Sequence, residues 1–178
     1  MAQGIVSSLD FSVDPFQALI KCKASVSSGS LLPSALESGV VFSVDGAVCR
    51  SNNSAGIGGV LKDANGAVLC VFSKPLHIFS VVQAELEAIY YALLIVRSKR
   101  SYDQETIWIK SDSLEAVNVV NKVWDSPWFC KDLVERIELI RTCWSMVHVS
   151  HLNREANGDA DKLAKDGISR RGAWVAWS

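Results

Sequence analysis

Four acidic positions in this sequence have neighbours that do not explain them. Asp45 closes the apolar run Val40-Val41-Phe42-Ser43-Val44 and is followed at once by Gly46. Glu85 lies inside VVQAELEAIYYALLIVRS, where Val82, Leu86, Ile89, Leu93 and Val96 recur at helical spacing. At 100° per residue that apolar stripe centres near Val82. Glu85 then falls about 60° from the centre and Glu87 about 140° away. Glu85 therefore borders the buried face and Glu87 faces solvent. Asp112 follows the strand-like TIWIK, and the fourth acid lies in NREANGDADKLAKDG. There Asp159 and Asp161 flank the apolar side of a helix almost symmetrically, and periodicity does not choose between them.

Each acid has a plainer use. Asp45 could form a turn, and Asp112 could cap the following helix, with Glu115 at capping-box spacing. Glu85 could meet a basic partner, and Asp161 could be a surface charge. Brought together at adjacent strand ends, however, these carboxylates would repel one another and need cations to share the site. Oxygen-only ligation suits magnesium or manganese. Two such ions a few ångströms apart support in-line displacement at phosphorus. The small and polar residues after Asp45, namely Gly46, Ala47, Asn52, Asn53 and Ser54, would let a phosphate backbone approach.

The elements that must position these residues follow from the chain's punctuation. Val40–Val44, 56–61 and Val68–Phe72 read as strands, with Asp63-Ala64-Asn65-Gly66 as a hairpin turn between the second and third. The long helix comes next, then a fourth strand over 106–110. A helix runs from Asp112 to about Val123, where Ser126-Pro127 breaks the pattern. Another spans 132–144, a fifth strand covers 146–149, and a last helix runs from Glu155 to about Ile168. The order β-β-β-α-β-α-α-β-α predicts an α/β fold: a five-stranded mixed sheet with helices on its faces. The Trp174 to Trp177 tail is expected to pack back on the domain. Residues 1–38, rich in serine and small residues around Pro33, read as an N-terminal segment and linker preceding a domain over 39–178.

The whole chain sets outer bounds. Its 178 residues are 49% hydrophobic, enough for one cored domain. Eighteen basic against 19 acidic residues give a net charge of −1, without the basic excess typical of nucleic-acid binders, so any such chemistry must rest on a site. The five cysteines have no C-x-x-C spacing and read as reduced thiols of an intracellular, cytoplasmic or nuclear, protein. Cys143, His148 and His151 make a poor zinc set. No apolar run approaches the roughly 20 residues of a membrane span.

The motifs VDGA, AGIGGVLKDANG, AELEA, SDS and NREANGDADKLAKDG, in that order, resemble the ribonuclease H domain. They most resemble the ribonuclease H-like domains of plant genomes, many related to retroelement reverse transcriptases. The likeness covers about Val40 to Ser169. It implies a ribonuclease H-like fold and a two-metal endonuclease that hydrolyses the RNA strand of RNA–DNA hybrids, acting as a monomer. It places the metal-binding carboxylates on Asp45, Glu85, Asp112 and Asp161. Asp45 would bridge two Mg2+ or Mn2+ ions, with Glu85 and Asp112 holding one and Asp161 the other. His151 matches the family's mobile histidine. Gly46, Asn52, Asn53, Ser113 and Asn157 are the expected substrate contacts. Three stretches depart from the family. Ser80-Val81-Val82 stands where active members carry Thr-Asn-Asn, and Leu114 stands where they often carry Gln. The connection Trp124-Asp125-Ser126-Pro127-Trp128-Phe129 replaces a basic handle. These departures point to an alternative, a retroelement-derived interaction module with little turnover.

Overall fold

The structure of the protein is a computed structural model that describes residues 39–178, apart from Asn52 and Phe79. The expected linker and Asn52 thus fall outside the described residues.

Three antiparallel strands open the domain: β1 (Gly39–Cys49), β2 (Ser54–Lys62) and β3 (Val68–Leu76). The turn between β2 and β3 forms because Gly66 can take φ +82°. Asp63 locks it, accepting at Oδ1 from the backbone N–H groups of Asn65 and Ala67. Then follow α1 (Val81–Arg97), β4 (Thr106–Ser111), α2 (Leu114–Val120), α3 (Lys131–Cys143), β5 (Val147–His151), α4 (Gly158–Ile168) and β6 (Trp174–Trp177). β4 runs parallel to both β1 and β5, giving the sheet order β5-β4-β1-β2-β3-β6.

The sheet has six strands, not the expected five. The Trp-Val-Ala-Trp tail pairs antiparallel with the free edge of β3. Four residues are too few to show a sheet period, so the edge partner was legible only as a tail that packs back. Side-chain contacts hold it: Trp177 stacks on Tyr102, Lys99 lies over the Trp177 ring, and Arg170 lies over Trp174.

α1 is the centre of the core. It packs against β1 and β2 on one side and against α2 and α3 on the other. The predicted stripe Val82, Leu86, Ile89, Leu93 and Val96 is buried, but so are Ala88, Tyr90 and Tyr91. Glu87 is therefore half-buried rather than solvent-facing. Burial raises its pKa, while the nearby charges of Lys74 and Arg136 act the other way. A one-sided amphipathic reading missed this because helices cover α1 from outside as well.

The other sheet face carries α4, laid almost backbone to backbone on β2. A Cβ on Gly56 would come 2.4 Å from the Ala164 carbonyl oxygen, and one on Gly58 would come 2.3 Å from the Ala164 nitrogen. Only glycines in the strand, facing Ala160, Ala164 and Gly167 in the helix, allow that approach. The AGIGG and ADKLAKDG motifs thus act together, and their contact fixes where the first turn of α4 points.

Candidate metal centre

Asp45 does not end its strand. β1 continues to Cys49 but keeps only one neighbour, because its parallel pairing with β4 stops at Val44 and Ser111. Asp45 stands one residue beyond that last pair, where the sheet opens. Asp112 follows the end of β4 directly, and Glu85 lies in the second turn of α1. One oxygen from each of Asp45, Glu85 and Asp112 lies within 4.8 Å of the others. Three of the four sequence-predicted acids therefore converge.

Local sequence explains each placement. Gly46 brings α1 onto β1, since a Cβ there would sit 2.5 Å from the Ala84 backbone carbon. That contact delivers Glu85 to the strand end, where the Gly46 backbone N–H and the Ser111 hydroxyl donate to its carboxylate. Gly46 is thus buried beneath a helix and does not form an open phosphate loop. Asn53 sits at φ +51° in the tip of the β1–β2 hairpin, beyond Cys49, which is itself four residues or about 13 Å along the strand from Asp45.

The expected capping box at Asp112 is replaced by a cap at Ser113, whose hydroxyl accepts from the Ala116 N–H. This frees Asp112 for the site and commits Ser113 to its helix. The serine that touches the acids is Ser111, fully buried, donating to Glu85 and accepting from the Ser113 N–H. Its signal was present in Ser-Asp-Ser, but only the pairing of β4 shows which serine points inward.

Asn157 is buried at the head of α4 and ties the centre together. Its Nδ2 donates to the Val44 carbonyl at 3.0 Å and lies 3.4 Å from Asp112 Oδ1, while its Oδ1 has no protein partner. His151, exposed at the end of β5, places Nε2 3.2 Å from the Asp112 carbonyl oxygen. A carbonyl only accepts, so Nε2 is the donor in this contact. Asp161 stands at the margin: it bonds Lys165 at 2.7 Å, yet its charge is felt at Asp45. Asp159 turns outward to Lys62 at 3.1 Å. The structure thus separates two aspartates that periodicity left equal.

The electrostatics of the cluster favour a bound cation. Burial raises the Asp45 pKa to about 7, with the Asp112 charge, a hydrogen bond to Asp112 and the Asp161 charge adding to it. Two carboxyls share such a bond only when one is protonated. Burial, then the Asp45 charge, raises Glu85 to about 8. The ion pair to this cluster among the described residues comes from Arg154, 3.9 Å from Asp112 and largely exposed. A hard divalent cation would satisfy this all-oxygen donor set by displacing protons. The residues therefore fit magnesium or manganese.

A family model described as reverse transcriptase-like matches residues 43–167. The chain belongs to that family. Among solved structures it resembles a ribonuclease H1 isolated from compost by a metagenomic approach, at 25% identity and TM-score 0.68, over 74% of this chain and 96% of that one. The same compost enzyme in complex with an RNA/DNA hybrid matches at 24% identity and TM-score 0.66, over 72% and 96%. A foamy viral protease–reverse transcriptase in complex with an RNA/DNA hybrid matches at 22% identity and TM-score 0.65. This chain aligns over 82% of its length with 22% of that one. No curated protein matches the sequence. The family member described here thus has a ribonuclease H fold, and its three acids could bind metal.

Proposed function

We propose that this domain is a divalent-metal-dependent endonuclease that cuts the RNA strand of RNA–DNA hybrids. The observation that carries this reading is the convergence of Asp45 and Glu85, both buried, with the half-buried Asp112, the one ion pair to them among the described residues being the largely exposed Arg154. Asp45, Glu85 and Asp112 would hold the metal, with Asp161 completing a second site once Lys165 releases it. Bound divalent ions supply Lewis-acid activation of water and charge stabilisation at phosphorus. The Gly46 N–H and the Ser111 hydroxyl orient the Glu85 carboxylate, and Asn157 holds Asp112 against the end of β1. His151, whose Nε2 contacts the Asp112 carbonyl, would stand beside the reacting phosphate. The hybrid's 2′-hydroxyls and groove shape provide discrimination.

A second reading is favoured by exposed apolar residues. Val81 and Leu114, at the first positions of α1 and α2, are exposed, and Trp128 is 81% exposed beside Phe129. Val82 is buried and so belongs to the core rather than to this surface. Such exposed apolar residues favour an interaction module that holds metal and turns over little.

The deciding experiment incubates a labelled hybrid with the purified protein, in Mg2+ and then Mn2+, beside Asp45→Asn. Cleavage of the RNA strand by the parent alone supports the enzyme. A folded, metal-binding parent that leaves the hybrid intact supports the module. Equal cleavage by both proteins removes Asp45 from the site.

A further inference from the structure

The face of the sheet that carries Asp45 does not end at the metal centre. Asp45 pairs with Gly58, and Gly58 lies against α4, so both point to the α4 face. Ser111 points the other way, toward Glu85 on α1. By strand alternation Lys110 and Trp108 share the face of Asp45. α4 packs on β1, β2 and β3, and among the described residues no helix packs closely on this face over β4 and β5.

Two cross-strand rows lie on the open part. The first is Ser43–Lys110–Ser150 and the second is Val41–Trp108–His148. They step away from the acids, the second about 13 Å from Asp112 at the usual strand rise. Lys110 forms no ion pair with any described residue. Trp108 is 39% exposed and stacks on His148, with ring centroids 4.6 Å apart and planes 27° from parallel. The stacking covers one face of the indole and leaves the ring partly exposed. A flat ring pair beyond a lysine row is a surface for nucleotides: the ammonium meets a phosphate and the indole meets a base. A base can stack there only if it is unpaired, since a duplex keeps its own faces covered.

We propose that the open β1–β4–β5 face binds an unpaired RNA strand continuing from the strand held at the metal centre. The preferred substrate is then a hybrid whose RNA runs on into single strand. This rests on the hybrid reading for the identity of the strand, and on the rows for its path. Continuity with the acids on one face and the free charge of Lys110 favour this occupant over a protein partner.

The test measures binding with Ca2+ in place of Mg2+. The probes are a blunt hybrid, the same hybrid with about four unpaired RNA nucleotides at either end, and single-stranded RNA alone. One of the extended hybrids is expected to bind roughly tenfold tighter than the blunt one, the gain typical of one stacked base. Trp108→Ala should erase that gain and leave blunt-hybrid binding unchanged, and Trp108→Phe should retain most of it. Lys110→Gln should weaken the extension's contribution and its salt dependence. Equal binding of all hybrids, or a gain that survives Trp108→Ala, overturns the proposal. If the blunt hybrid does not bind, but single-stranded RNA binds and Trp108→Ala abolishes it, the face stands and the hybrid reading falls. No binding of any probe overturns both.

Discussion

Two sets of acids lie near each other in this molecule, and the fold treats them differently. Asp45, Glu85 and Asp112 are drawn together from β1, α1 and the end of β4, out of reach of any lysine ion pair among the described residues. Asp159 and Asp161, on the first turn of α4, each have a lysine, Lys62 and Lys165. The second set looks like ordinary surface chemistry, worth at most about 1 kcal/mol per pair. The first has, among the described residues, only the largely exposed Arg154, 3.9 Å from Asp112. What sets the first group apart is the burial of Asp45 and Glu85 with only a largely exposed arginine nearby, not acidity or spacing. Asp161 belongs to both sets, since it pairs with Lys165 and still acts on Asp45.

The comparison breaks most sharply at Asp45. Asp45→Asn should lower cleavage of the hybrid by at least about 10³-fold, the loss of several kcal/mol of charge stabilisation. The same variant should melt higher than the parent without metal at about pH 8, because one repelling charge is gone. Kinetics and calorimetry on one preparation check both. A loss of activity with a lowered melting temperature would mean that Asp45 is structural.

A pH series tests the same point without mutation. The pKa values of Asp45 and Glu85 are raised to about 7 and about 8 in the folded chain, while unfolded carboxyls ionise near pH 4. Between those limits the folded state binds more protons than the unfolded one. The metal-free protein should therefore lose stability as pH rises from about 5 to 8. Mg2+ should reverse that loss by binding the folded state alone. A flat melting temperature across this range would contradict the uncompensated cluster.

Gly46→Ala should cost about 1–3 kcal/mol of stability, because its methyl would drive α1 from β1. It should also weaken metal binding, since Glu85 rides on that helix. Asp161→Asn should reduce turnover on the order of tenfold, since the displaced Lys165 pair is a cheap exposed one. Asp159→Asn should change turnover less than twofold, and equal effects at the two positions would erase the distinction between them. A modest effect of the opposite sign belongs to the exposed start of α2. Leu114→Gln adds a hydrogen-bonding group next to Asp112 and should lower KM by about two- to tenfold, the worth of one net hydrogen bond.

Much of this was legible in the linear chain. Strand and helix periods, the Asn-Gly turn and the order of elements gave the mixed sheet, because these are local preferences summed over a few residues. The angle of Glu85 on its helix foretold its burial. Other features were not legible because they depend on partners distant in sequence. Glu87 is half-buried only because α3 covers the outer side of α1. Gly46 looked like loop chemistry and is a packing contact. Asp112 looked like a cap until Ser113 took that role.

By itself, then, the sequence determined which residues could hold a hard cation and on which kinds of element they sit. Those properties reside in side-chain oxygens and in short-range backbone preferences. Tertiary structure decided which acids meet, which serine orients Glu85, and which aspartate of α4 is turned outward. It decided also that Trp108 and Lys110 share a face with Asp45. The reason is geometric: convergence is set by strand register and by how closely glycines let helices approach, and both are sums over contacts between segments far apart in the chain.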